Sequence, residues 1–187
     1  MPTVTVKAPW LLDSVLNESD FRSLQSHLQA TDKSAMYYDA VSCRYLMGDR
    51  DPILKQSRDR LVPLAREVFG SNTLIPSYAL FAHYAGASPH LQRHRDINAC
   101  TYTIDLCIYQ TAPWDLFVED RCFTLLPNQA AIYFGNDQWH WRGPFPHPDT
   151  ACVAMVFYHF VEPDHWFHTE GPRWEVSRPS LTFSGWP

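Results

Sequence analysis

The sequence contains no run of like charges, and its formal net charge over 187 residues is only −5. That balance disfavours nucleic acid or an anionic membrane surface as a partner. No apolar stretch is long enough to span a bilayer, and Met1-Pro2-Thr3-Val4 lacks the basic-then-apolar layout of a secretory leader. The five cysteines (Cys43, Cys100, Cys107, Cys122 and Cys152) are odd in number and form no close pairs. Such spacing argues against a disulfide framework and against a cysteine metal site; the expectation is reduced, mostly buried thiols in a cytoplasmic protein. Internal repeats and low-complexity segments are likewise missing from the sequence.

What is present is enough chain for one domain with a substantial core. Aromatic residues make up 14% of it and lie mostly in the second half, where they must be buried or line a cavity. The first seventy residues read as helical. Asn17-Glu18-Ser19-Asp20 offers caps ahead of Phe21-Arg22-Ser23-Leu24-Gln25-Ser26-His27-Leu28, whose apolar residues recur at three- and four-residue spacing. Asp51-Pro52 is an N-cap and first-turn pair opening a helix through Ile53, Leu54, Leu61, Leu64, Ala65 and Val68, stopped by Gly70. Pro63 predicts a kink or a break within it.

From Leu74 onward the texture changes to short strands, placed near Ser77–Tyr84, Cys100–Tyr109, Asp115–Val118, Cys122–Leu126, Ala130–Phe134 and Ala151–Phe160. Turn signals separate them, among them Gly86-Ala87-Ser88-Pro89, Pro127-Asn128 and Gly135-Asn136-Asp137. The pattern predicts a mainly β chain with N-terminal helices, an α+β jelly roll. Its parts are a helical 1–72, a jelly-roll core 73–162 and a C-terminal extension 163–187, rich in Pro and Trp and without clear periodicity.

The chemistry-bearing pattern is His94-Arg95-Asp96 with His140 downstream in Gln138-Trp139-His140-Trp141-Arg142. In an extended segment residues two apart point the same way, so His94 and Asp96 can meet one metal. A third ligand, the imidazole of His140, completes a two-His, one-carboxylate set, which suits non-haem Fe(II) and leaves positions open for oxygen and a co-substrate. By itself a His-x-Asp pair reads more simply as a surface turn, and it is the added His140 that turns the reading toward a metal. His147, between Pro146 and Pro148, is the rival third ligand. His159 on a predicted core strand reads as a hydrogen-bonded structural histidine, and His165 with His168 as solvated tail residues. Asp105 stands inside an apolar strand; if buried it must bind a polar substrate group or satisfy backbone donors.

Residues from about Ser77 to Glu162 resemble the double-stranded β-helix core, cupin-like in form, of the Fe(II)/2-oxoglutarate-dependent oxygenase superfamily. The resemblance is carried by an ordered set of segments: Tyr78…Tyr84-Ala85-Gly86, Leu91-Gln92-Arg93-His94-Arg95-Asp96, Tyr102-Thr103-Ile104-Asp105-Leu106-Cys107, Leu126-Pro127-Asn128-Gln129-Ala130-Ala131-Ile132-Tyr133, His140-Trp141-Arg142 and Val156-Phe157-Tyr158-His159-Phe160. It covers somewhat under half of the chain strongly. It implies that His94, Asp96 and His140 ligate Fe(II) and that 2-oxoglutarate is the co-substrate. Dioxygen would then be used to hydroxylate a small molecule, with succinate and carbon dioxide as co-products. An acid at position 96 argues against halogenating chemistry, for which relatives replace that ligand.

One departure bears on the co-substrate. The family usually carries an Arg or Lys about ten residues after the distal His, yet no Lys or Arg occurs between Gly143 and Pro172. A buried carboxylate needs a cationic or well-bonded partner. Arg142 is the substitute, since strand periodicity sets it on the side of His140; a salt bridge with Asp137 or Asp149 is its plainer reading. Arg93 and Arg95 alternate away from the metal face. Tyr84 and Tyr102 could bond the co-substrate or simply pack in the core, and Trp139 and Trp141 could shield His140 or simply pack. Two rival functions follow: an Fe(II) enzyme using oxygen without 2-oxoglutarate, and a non-catalytic jelly-roll binding protein.

Overall fold

A computed structural model of the chain describes residues 8–48, 50–147 and 150–166. Among the described residues three α-helices form where caps and periodicity place them. Helix α1 (Glu18–Ala30) begins at Asn17, whose side chain accepts from the Asp20 N–H, and it buries Phe21, Leu24 and Leu28 on one stripe. Helix α2 (Pro52–Arg60) begins at Asp51, whose side chain accepts from the Ile53 and Leu54 N–H groups. The other Asp51 oxygen lies 2.8 Å from His27 Nε2, tying the start of α2 to the end of α1. Helix α3 (Val62–Phe69) follows a break at Leu61 and ends at Gly70 in the left-handed conformation, φ 69°. Pro63 lacks an N–H and sits in the first turn of α3, so the break falls where that missing donor does no harm.

The strands are β1 (Trp10–Leu12), β2 (Tyr37–Asp39), β3 (Arg44–Gly48), β4 (Ile75–Tyr84), β5 (Leu91–His94), β6 (Tyr102–Gln110), β7 (Leu116–Val118), β8 (Arg121–Phe123), β9 (Ala130–Tyr133), β10 (His140–Arg142) and β11 (Val153–Val161). They make a seven-stranded sheet, order β1-β9-β6-β11-β4-β3-β2, and a four-stranded sheet, order β5-β10-β7-β8. Every pairing is antiparallel. From β4 onward the chain passes between the two sheets repeatedly, which is the double-stranded β-helix expected of the sequence. The first seventy residues are not purely helical, however: β1, β2 and β3 extend the larger sheet at both edges. They are short, and β2 and β3 pair only with each other and β4, so local sequence carries little sign of them.

The larger sheet is buried on both faces. On β6 and β11, Ile104, Leu106, Ile108, Ala154, Val156, Tyr158 and Phe160 pack under the helices with Phe21, Leu24, Leu28, Leu54 and Ala65. The alternate residues Cys107, Val153 and Met155 face the smaller sheet, with Tyr84, Trp114, Leu116, Val118 and Tyr133. Two-residue periodicity thus assigns each β6 side chain either to the helical core or to the space between the sheets. Burial of each large side chain contributes roughly 2 kcal/mol, so the helical layer is part of what holds the larger sheet in place. Among the described residues no helix is long and apolar enough to cross a membrane. The expected C-terminal extension, with His168, lies outside the described residues beyond Trp166.

Candidate metal centre

Strands β5 and β10 are neighbours in the smaller sheet, and their register places His140 directly opposite His94. The two rings stand 4.2 Å apart between centroids. Asp96, just past β5, is fixed by its own N–H, which donates to the Gly135 carbonyl at 2.9 Å. One Asp96 carboxylate oxygen then lies 3.3 Å from His94 Nε2 and 3.6 Å from His140 Nε2. One ligand atom from each of the three residues falls within 4.8 Å of the others, a spacing at which one ion can touch all three.

The imidazoles are oriented for this. His94 Nδ1 is 2.8 Å from the Gln92 carbonyl and His140 Nδ1 is 3.1 Å from the Gln138 carbonyl. A carbonyl only accepts, so each Nδ1 carries a proton, and each Nε2 faces Asp96, as donor to the carboxylate when protonated and as the lone pair for a metal when not. Burial by itself would raise the Asp96 carboxyl, but hydrogen bonding to His140 and His94 outweighs it and holds the group well below the usual carboxylate range. Burial works to lower His140, and its bond to Asp96 reverses that, leaving the imidazole raised. The set has an inner and an outer side: the His140 side chain is 3% exposed and that of His94 36%. Nitrogen and hard carboxylate donors of this kind fit Fe(II) and leave coordination positions free.

Gly135 makes the close approach of Asp96 possible. A Cβ there would stand 2.6 Å from Asp96 Oδ2, from the Cys100 carbonyl and from Thr103 Oγ1. In the sequence Gly135 reads only as a turn residue, and nothing marks its proximity to the ligand. Behind Asp96 lie Cys100 and His159, whose ligand atoms form a second close group with that carboxylate. Burial pushes the Cys100 thiol well above its ordinary value, and Tyr78 Oη sits 2.9 Å from its sulfur. This second group shares its Asp96 carboxylate with the first and lies deeper in the core. His159 is buried, its Nδ1 is 3.1 Å from Thr103 Oγ1, and burial brings its imidazole down to about 4, in keeping with a structural histidine.

The remaining candidates divide between the two faces. Arg142 is buried at 3% exposure and points between the sheets, where it donates to the Trp114 carbonyl and lies 3.6 Å from Met155 Sδ. Among the described residues it has no carboxylate partner; Asp137 is not bonded to it, and Asp149 lies outside those residues. Tyr84 also faces the inter-sheet space, but its hydroxyl accepts from Arg44 at 2.9 Å. Tyr102 does not reach the site. It packs with Phe69 and Phe134 under the helices and donates to Glu162 at 3.1 Å. Its parity on β6 is opposite to that of Thr103, Asp105 and Cys107, which is the physical reason for this correction. Arg93 and Arg95 stack on Trp139, and Arg93 also on Trp141, on the outer face of the smaller sheet; the two tryptophans therefore do not cover His140. His147 is exposed and outside the ligand group.

Asp105 is buried with its neighbours only partly answering it. Tyr133 donates to Oδ2 at 2.8 Å, while Oδ1 has no hydrogen-bond partner. Burial raises its carboxyl to about 7 against the opposing pull of His140, the Tyr133 bond and Arg142.

No protein-family model matches the sequence, and no curated protein matches it either. Solved structures do match in fold. HygX from Streptomyces hygroscopicus, with nickel and 2-oxoglutarate bound, superposes with a TM-score of 0.66 over 85% of this chain and 84% of its own, at 8% identity. The non-haem, alpha-ketoglutarate-dependent epimerase SnoN of nogalamycin biosynthesis gives 0.63 over 82% and 77%, at 12% identity. A Pseudomonas putida prolyl-4-hydroxylase gives 0.60 over 84% and 94%, at 13% identity. At such low identity the likeness is one of architecture: the chain has the double-stranded β-helix fold of these structures.

Proposed function

We propose that this protein is an Fe(II)- and 2-oxoglutarate-dependent oxygenase that hydroxylates a small molecule. The observation that carries the reading is the convergence of His94 Nε2, the Asp96 carboxylate and His140 Nε2 at 3.3–3.6 Å, with both Nδ1–H groups already committed to carbonyls. Bound there, Fe(II) would supply oxygen activation, with 2-oxoglutarate as the electron donor that leaves as succinate and carbon dioxide. The protein's part is to hold and orient. The two imidazoles keep Asp96 ionised, and Gly135 lets its carboxylate sit close. Arg142 offers a buried guanidinium without an acid partner, able to grip the far carboxylate of 2-oxoglutarate with two parallel bonds. The substrate approaches from the exposed His94 side, where Ile97 is 43% exposed. Five free cysteines accord with a reducing, cytoplasmic setting.

The reading without 2-oxoglutarate drew on the missing downstream cation, and Arg142 between the sheets supplies one. On this fold SnoN is an epimerase and the Pseudomonas protein a prolyl-4-hydroxylase, so we assign the choice of outcome to the residues around the substrate. The test is succinate formation from 2-oxoglutarate in air by Fe(II)-reconstituted protein, followed by mass spectrometry. Turnover that disappears in a folded Asp96→Ala variant is expected; a protein that binds no metal stoichiometrically would overturn the proposal.

A further inference from the structure

The part of the interior that the metal ligands leave unexplained is Asp105. It points between the sheets from the middle of β6, at 2% exposure, and its register partner on β11 is Phe157. Two residues along β11 on the same face is Met155, against which Arg142 lies. Asp105 and Arg142 therefore face one compartment from opposite sheets, offset along the strand direction by one two-residue repeat, roughly 7 Å. No ion pair joins them, and each has unmet capacity: Arg142 lacks an acid, and Asp105 Oδ1 lacks any partner. Inside a protein, such an orphaned oxygen is costly unless a ligand meets it.

The Tyr133 hydroxyl settles which oxygen is free. It donates to Oδ2, so a proton on the carboxyl resides on Oδ1, the unpartnered oxygen. A buried carboxyl without a bonded cation favours that protonated form, and burial raising it to about 7 agrees. The neighbouring Arg142 then decides the charge of the occupant. A cationic head would meet a like charge, whereas a carboxylate would find a donor on either side.

We propose that Asp105 is a specificity-determining residue, its Oδ1 hydroxyl donating to the ligand carboxylate that Arg142 grips, so that the two form a clamp across the sheets. This rests on the reading of the protein as a 2-oxoglutarate enzyme and names a second recognition element for that co-substrate. The test is anaerobic calorimetry of 2-oxoglutarate into the full-length, nickel-loaded protein, with melting curves to establish folding. Asp105→Leu, which removes the donor, weakens binding at least tenfold. Asp105→Asn keeps the Tyr133 bond and presents an N–H in place of the O–H, so it recovers most of that loss. Losses in Asp105→Leu and Arg142→Leu are strongly non-additive, because both residues act on one carboxylate. If Asp105→Leu does not fold, Asp105→Ala carries the same comparison.

An Asp105→Leu affinity within twofold of the wild type would overturn the clamp, as would an Asp105→Asn affinity no better than that of Asp105→Leu. Additive losses would do the same, showing that the residues serve separate ligands. If nickel-loaded wild-type protein takes up no 2-oxoglutarate, the proposed function falls, and the clamp with it.

Discussion

Adding one methyl group at Gly135 should damage the metal centre from outside the ligand set. A Cβ there meets Asp96 Oδ2, the Cys100 carbonyl and Thr103 Oγ1, each at 2.6 Å. Ordinary contact begins at 3.4 Å, so roughly 0.8 Å must be found. The Cys100 carbonyl is backbone and the Thr103 hydroxyl is held to it at 3.2 Å, which leaves the Asp96 carboxylate as the freer group. Its displacement is coupled to the backbone, because the Asp96 N–H donates to the carbonyl of Gly135 itself. Overpacking of this kind costs about 1–3 kcal/mol of stability. Misorienting a ligand through its supporting groups costs about 10–100-fold in metal affinity. Gly135→Ala is therefore expected to lower the melting temperature modestly and the Ni(II) or Fe(II) affinity at least tenfold, measured by chelator competition. Gly143→Ala is the control, since nothing lies within 4 Å of its added Cβ. A folded Gly135→Ala protein with wild-type metal affinity would refute the claim that the glycine sets the position of Asp96.

Arg142→Leu should weaken 2-oxoglutarate more than tenfold, because a charge-assisted pair is worth roughly 1.5–3 kcal/mol, and unchanged affinity in calorimetry would discard the assignment. His83, buried with Nδ1 2.6 Å from Tyr109 Oη and Nε2 unpartnered, is brought by burial and then Lys33 from 6.5 to about 4. Between those values the unfolded chain binds the extra proton, so stability is present above pH 6.5 and falls by roughly 3 kcal/mol as pH drops to 4. His83→Gln should flatten that part of a melting-temperature profile, and a profile as steep as the wild type's would contradict it. Asn128 holds a positive φ of 66° while its side chain bonds both the N–H and the carbonyl of Leu16. Asn128→Ala should cost about 2 kcal/mol or more in urea unfolding, and Asn128→Gly less; equal losses would show that the backbone conformation contributes nothing.

The sequence disclosed most where a local rule and a long-range need coincide. Asn17 and Asp51 cap helices that begin where expected, and Pro63 and Gly70 break and stop them. The long strands β4, β6 and β11 were legible because a strand buried on both faces reads as an apolar run. The short strands β1, β2 and β3 were not, since their pairing partners lie far along the chain or in one another. His94 and Asp96 were legible as a pair from two-residue spacing, but their meeting with His140 depends on β5 lying beside β10, a matter of topology. Tyr102, open in the sequence between a co-substrate contact and core packing, packs in the core, and its parity carried the reason: Asp105 and Tyr102 stand three apart on one strand and cannot share a face. Gly135 was beyond reach, because the need for a missing side chain shows only when Asp96, Cys100 and Thr103 surround it.

The most direct measurement of the central claim is anaerobic visible spectroscopy of metal-free protein given Fe(II) and then 2-oxoglutarate. A weak charge-transfer band that requires both additions, and that is lost in a folded Asp96→Ala variant, is the result expected if His94, Asp96 and His140 hold Fe(II) with an open face for the oxoacid. Absence of Fe(II) binding by the wild-type protein would contradict the account at its base. Binding without the band would contradict the role given to 2-oxoglutarate.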